Sequence, residues 1–146
     1  MTISVTPLSA GDDAFTAFVD ALKAAALPTG DLDGGARFYV AQVGEAVVAF
    51  GGLEGTGPDQ LIRSVVVPPG LRAGGHGRQV AQALIGQART DGAERLWLLT
   101  TSADGFFAKL GWKVATLADA AETVRGTRQF SGLCPSSAVL MCRRLA

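Results

Sequence analysis

Residues 71–80 read LRAGGHGRQV, with three glycines and two arginines set between the β-branched run Val65-Val66-Val67 and a stretch whose apolar residues recur at helical spacing. The first four N–H groups of a helix have no partner inside it, and the helix dipole puts partial positive charge at that end. Gly74, Gly75 and Gly77 let a backbone come close to an anion, and Arg72 and Arg78 bring full charges to its two edges. The segment Arg72-Ala73-Gly74-Gly75-His76-Gly77-Arg78 therefore reads as a clasp for a pyrophosphate, with a plain glycine turn as the alternative. A dinucleotide fingerprint would need glycine where Val80 stands, and the Gly-Lys-Ser/Thr ending of a nucleoside triphosphate loop is missing.

Outward from this loop the chain alternates strands and helices. Ile3 and Val5 alternate with polar residues before Pro7, which predicts a first strand, and Phe15, Phe18, Val19, Leu22 and Ala26 line one face of a helix that Pro28 and Gly30 end. Residues 37–43 and 46–53 are β-rich and flank Gly44-Glu45, a two-residue hairpin turn. A strand over 61–67 leads into the glycine loop, and Val80, Ala81, Leu84, Ile85 and Ala88 make the buried stripe of the next helix. RLWLLT, residues 95–100, follows as a central strand, so this βαβ unit predicts two parallel neighbours. A short helix with Phe106, Phe107 and Leu110 stops at Gly111, a strand covers 112–115, a helix spans about 118–128, and a final strand covers 138–143.

A chain of 146 residues, 48% hydrophobic, supports one core, and residues 1–146 read as one domain. Thirteen basic residues balance thirteen acidic ones without long runs, which argues against nucleic acid or an acidic membrane as partner. The N-terminus alternates like a strand where a secretion signal would be continuously apolar, so the expected location is cytoplasmic. Cys134 and Cys142 fit no common zinc spacing and His76 is the sole histidine, so no metal is expected.

Arg72 to Gly77 is similar to the Arg/Gln-x-x-Gly-x-Gly/Ala signature of the GNAT N-acetyltransferases, in that family's place between a strand and a helix. Phe106-Phe107-Ala108-Lys109-Leu110-Gly111-Trp112 resembles the family's second signature. The resemblance covers nearly the whole chain. It implies an α+β, three-layer fold: a mixed sheet of 6–7 strands flanked by helices, with acetyl-coenzyme A lying between two parallel strands that splay apart. A narrower likeness, carried by Leu99-Thr100-Thr101, Ser137 and Val139-Leu140-Met141, is to the acetyltransferase domain of bacterial N-acetylglutamate synthases. Arg63-Ser64-Val65, Phe130-Ser131 and Leu133 to Ala138 look like the ArsN-type acetyltransferases of arsenic-resistance operons. The implied acceptor is the amine of a small amino-acid-like molecule, with detoxification in arsenic resistance as one implied role.

Within that resemblance, the backbone of Val65, Val66 and Val67 would face the thioester and pantetheine, and the glycine loop would hold the pyrophosphate. Glu54, a lone acid after Gly51-Gly52-Leu53, is the candidate general base, with a solvated turn residue as the alternative. Arg63 sits inside an apolar strand and needs an anion, either a substrate carboxylate or an acid of its own fold such as Glu54. Phe107 stands where many members carry a tyrosine acid, so the thiolate leaves unaided or takes its proton from a group such as Cys134, otherwise an inert thiol. Thr100, Thr101 and Ser137 would hydrogen-bond substrate or pantetheine, or cap strand ends. An exposed edge strand would support a homodimer. Two other classes remain open: a coenzyme A-binding module with little catalysis, and an arsenic-binding protein using Cys134 and Cys142.

Overall fold

Gly44 turns the chain between β2 (Arg37–Val43) and β3 (Ala46–Glu54) with φ 61°, a left-handed conformation that costs glycine nothing. This hairpin seeds a sheet that extends to both sides of it. The computed structural model describes residues 3–9, 11–24, 36–55, 57–68, 76–100, 104–116 and 139–145. β1 (Ile3–Leu8) pairs antiparallel with β2, and β4 (Asp59–Val66) antiparallel with β3. β5 (Arg95–Thr100) runs parallel to β4. β7 (Val139–Arg144) pairs antiparallel with both β5 and β6 (Lys113–Val114). The result is a seven-stranded mixed sheet in the order β1-β2-β3-β4-β5-β7-β6.

Strand alternation divides the core between the two faces of this sheet. On one face Phe38, Val40, Phe50 and Val66 meet Phe18, Ala21 and Leu22 of α1 (Asp13–Ala24). The other face carries Tyr39, Ala41, Ala49, Leu53 and Ile62 against the stripe Val80, Ala81, Leu84, Ile85 and Ala88 of α2 (His76–Thr90). Phe107 of α3 (Asp104–Lys109) and Trp112 join that second cluster. Three layers follow, as expected for this pattern of elements. Gly51 and Gly52 allow the close approach at β3, because a Cβ on Gly51 would collide with Leu84 Cδ1 and one on Gly52 would sit 2.8 Å from Phe38 Cδ1.

The structure moves several of the boundaries read from sequence. β1 runs on through Pro7, paired with Tyr39, because an edge strand needs no donor on its open side. β3 extends to Glu54 and β4 starts at Asp59, two residues earlier than its apolar run. α2 begins at His76, so His76, Gly77 and Arg78 form its first turn and are not part of the preceding loop. The helix expected over 118–128 lies outside the described residues.

Candidate active site

β4 and β5 are neighbours over only three pairs, Asp59↔Arg95, Gln60↔Leu96 and Leu61↔Trp97. Beyond these β4 stays with β3 as far as Val66, while β5 stays with β7 as far as Thr100↔Val139. A wedge therefore opens between the two parallel strands from Ile62 onward. Its closed end is pinned by Asp59, whose carboxylate forms an ion pair with Arg95 Nε at 2.8 Å and accepts hydrogen bonds from Arg95 Nη2 at 3.2 Å and Trp97 Nε1 at 2.9 Å. Arg95 also lies 5.5 Å from the centroid of the Trp97 ring.

At the open side β4 carries a bulge. Its register against β3 passes from Gly52↔Arg63 to Phe50↔Val66, so β4 uses one more residue than its partner. Ser64 takes up the difference with φ 56°, a left-handed conformation uncommon for serine. Val66 thereby shares the face of Arg63, while Val65 and Val67 turn their side chains into the core beneath α2. Those side chains are occupied with packing.

α2 points its N-terminus at the same region. Its first turn holds no acidic residue, and a Cβ placed on Gly77 would lie 3.6 Å from both Val67 Cγ2 and Phe106 Cζ. The helix start, the end of β4 and α3 thus converge. Arg78 is exposed, and His76 Nδ1 is 3.1 Å from Gln79 Oε1. A glycine beside the end of β4 and a helix start with no acidic residue in its first turn suit a diphosphate, so these residues fit an anionic cosubstrate. Arg72, Ala73, Gly74 and Gly75 lie outside the described residues.

On the α1 side of the sheet Arg63 and Glu54 form one charged pair between two apolar groups. Arg63 Nη1 donates to Glu54 Oε1 at 3.1 Å and Arg63 Nε donates to Ser64 Oγ at 3.2 Å. The guanidinium lies 5.6 Å from the Phe38 ring centroid. Arg63's side chain is 0% exposed and Glu54's 16%. Of the two partners open to Arg63 from sequence, the structure shows the internal one. Phe38 and Tyr39 also border a cavity of about 310 Å³ with Pro7, Leu8, Phe15 and Ala36.

The remaining candidates divide. Thr100 ends β5 at the wedge, opposite Val139. Phe107 is buried in edge-to-face contact with Phe106 and Trp112, at 5.1 and 5.7 Å between centroids. Thr101, Cys134 and Ser137 lie outside the described residues, and Cys142 is half-buried on β7. Sequence reasoning missed Asp59, Arg95 and Trp97 at the closed end of the wedge. The available signal was an acid and a base opening two strands already expected to be parallel neighbours. It also missed a brace in which Arg37 donates to Gly55 O at 2.9 Å and to Gln60 Oε1 at 2.8 Å, and pairs with Asp91 at 3.4 Å. Among the described residues no cluster of three or more His, Cys, Asp or Glu is arranged to hold a metal, and no helix is long and apolar enough to cross a membrane.

Residues 34–114, more than half of the chain, match the sequence profile described as an acetyltransferase (GNAT) domain. The chain belongs to this GNAT family. Its fold is similar to that of part of N-acetylglutamate synthase from Neisseria gonorrhoeae complexed with coenzyme A and N-acetyl-glutamate, with TM-score 0.78, 21% identity, and coverage of 100% of this chain and 36% of that one. Rv2747 from Mycobacterium tuberculosis, in complex with CoA, superimposes with TM-score 0.77 at 19% identity over 98% of this chain and 99% of that one. A GNAT acetyltransferase from Elizabethkingia anophelis with acetyl-CoA bound gives TM-score 0.62 at 13% identity and 98% coverage of each chain. At these identities the likeness is one of fold, and this GNAT chain spans about a third of the length of the Neisseria synthase. No curated protein sequence matches it significantly.

Proposed function

We propose that this GNAT domain is an acetyl-coenzyme A-dependent N-acetyltransferase that acetylates the amine of a small amino-acid-like molecule directly, without a covalent acetyl-enzyme. The observation that supports this most is the wedge between β4 and β5, which opens beside the Arg63–Glu54 pair and leads to the acid-free first turn of α2. Arg72 to Arg78 would hold the diphosphate of the cosubstrate, and the bulged backbone of Val65 to Val67 would align its arm and polarise the thioester carbonyl. A preorganised backbone donor of this kind is worth about 3 kcal/mol to the transition state.

Most of the remaining work is orientation, since a positioned amine and thioester react without further machinery. Glu54, the solvent-reaching member of its pair, would take a proton from the incoming ammonium. Thr100, Thr101, Cys134 and Ser137 would contact acceptor or pantetheine. Phe107 offers no hydroxyl to the departing thiolate, which favours a second reading, a coenzyme A-binding module with little turnover.

Titration with acetyl-coenzyme A in a thermal-shift assay, followed by thiol release with a panel of amino acids and their phosphinic and arsenical analogues, separates these readings. An acetyltransferase is stabilised by the coenzyme and releases thiol with at least one amine, whereas a binding module is stabilised and releases none. Turnover of the arsenical would extend the reading to arsenic detoxification.

A further inference from the structure

Four aromatic rings meet on the α1 face of the sheet. Phe18 contacts Phe15, Phe38 and Phe50 at 5.7, 5.2 and 5.2 Å between centroids. The cluster is closed at Phe18 and Phe50, which are fully buried, and open between the half-buried Phe15 and Phe38, where the cavity of about 310 Å³ lies. Pro7, Leu8, Phe15, Ala36 and Phe38 give this cavity an apolar wall. Arg37 and Tyr39 complete the lining, but the Arg37 guanidinium is taken up by Gly55 O, Gln60 and Asp91, and Tyr39 belongs to the core on the α2 face.

The strand register brings this cavity up to Glu54. Leu8↔Phe38, Phe38↔Gly52 and Gly52↔Arg63 make one row across β1 to β4, and the next residues of β2 and β3 in the same register set Ala36 alongside Glu54. Neighbouring strands are about 4.8 Å apart, so the cavity begins one strand spacing from Glu54. No side chain intervenes at Gly52, and Phe38 is the wall that the cavity shares with the charged pair. We infer that the cavity seats an apolar, ring-sized side chain of the acceptor while its amine lies at Glu54, and that Phe15, Ala36 and Phe38 decide which amines are acetylated. This rests on the reading of Glu54 as base and names the substrate class for it.

Size and chemistry agree with such an occupant. An apolar cavity of about 150 Å³ is enough to take benzene, so 310 Å³ admits a phenyl or indole ring. A ring between Phe15 and Phe38 extends the existing cluster, through edge-on contacts of the kind that Phe15 and Phe18 already make. An acidic side chain gains little there, because the Arg37 guanidinium is already paired with Asp91.

The test measures thiol release from acetyl-coenzyme A with amines paired to differ only by a phenyl ring, L-phenylalanine with L-alanine and 2-phenylethylamine with ethylamine, and with L-glutamate as an acidic comparison. The cavity predicts that kcat/KM for the ring-bearing amine exceeds that of its partner by about tenfold or more in at least one pair, and that L-phenylalanine exceeds L-glutamate. Ala36→Leu and Phe15→Trp, which fill the space from the start of β2 and from α1, should each bring that ratio down by about fivefold or more. The ratio is taken within one protein, so general damage to the fold does not mimic its loss, and the wild-type comparison stands even if one variant fails to fold. A smaller ratio in both pairs, turnover confined to ring-free amines, a better rate with L-glutamate, or a ratio that neither variant lowers overturns the assignment while the acetyltransferase reading stands. No thiol release from any amine brings down both.

Discussion

Gly52 faces Arg63 directly across the β3–β4 register, and the absence of a side chain there leaves the Phe38 ring and the Arg63 guanidinium 5.6 Å apart. A Cβ on Gly52 would lie 2.8 Å from Phe38 Cδ1. Its neighbour Gly51 plays the same part on the opposite face, where Leu84 of α2 rests on the strand backbone. The two glycines set the spacing of all three layers at the strand that ends in Glu54.

Gly51→Ala should therefore destabilise the protein by about 1–3 kcal/mol, the usual cost of overpacking a close contact. Denaturant unfolding should show a lower midpoint with an unchanged slope. Gly52→Ala should in addition disturb turnover more than coenzyme binding, because it displaces Phe38 from beside Arg63.

Gly77→Asp separates binding from stability. A carboxylate in the first turn of α2 interacts favourably with the helix dipole, and the added Cβ meets its neighbours at 3.6 Å, an ordinary contact. The melting temperature should hold or rise. Coenzyme A affinity, measured by calorimetry, should fall by about tenfold or more, since the same charge repels a diphosphate.

Trp112 is almost fully buried, and its Nε1–H has no hydrogen-bond partner among the described residues. An unmet buried donor costs about 1–3 kcal/mol, which offsets much of what the large ring gains by burial. Trp112→Phe should thus change stability by no more than about 1 kcal/mol, whereas Phe107→Ala, which deletes a ring in contact with both Phe106 and Trp112, should cost about 3–5 kcal/mol. Thermal or urea unfolding of the two variants side by side checks the contrast.

Arg37 ties the start of β2 to the 55–60 turn and to Asp91 beyond α2. Arg37→Met should weaken this end of the fold by about 1–3 kcal/mol through the buried Gln60 Oε1 it leaves without its donor, although Gln60 Nε2 keeps its bond to Gly57 O. Acetyl-coenzyme A affinity should not change, because the brace lies at the closed end of the wedge.

Local chemistry made much of this legible before any coordinates. The α2 stripe from Val80 to Ala88, the Gly44 turn and the parallel relation of β4 to β5 each follow from spacing within a few residues, and each is present in the structure. The β4 bulge was not legible, because Arg63-Ser64-Val65-Val66-Val67 reads as one apolar strand and only pairing with β3 reveals the extra residue. Nor was the Arg63 partner. A buried arginine demands an anion, but which anion depends on how Leu61 and Glu54 align across two strands, a tertiary fact. The start of α2 was misplaced for a related reason: glycine is read as loop, whereas Gly77 here serves close approach within a helical turn.

Simultaneous quantification of free thiol and N-acetylated product, with acetyl-coenzyme A and a mixture of primary amines that includes the amino acids, tests the proposed chemistry most directly. Transfer at the β4–β5 wedge predicts one thiol for each acetylated amine, with both signals lowered together by about tenfold or more in Gly77→Asp at subsaturating coenzyme. Tight binding of acetyl-coenzyme A with no acetylated amine at any concentration, or thiol release matched only by free acetate, would contradict it.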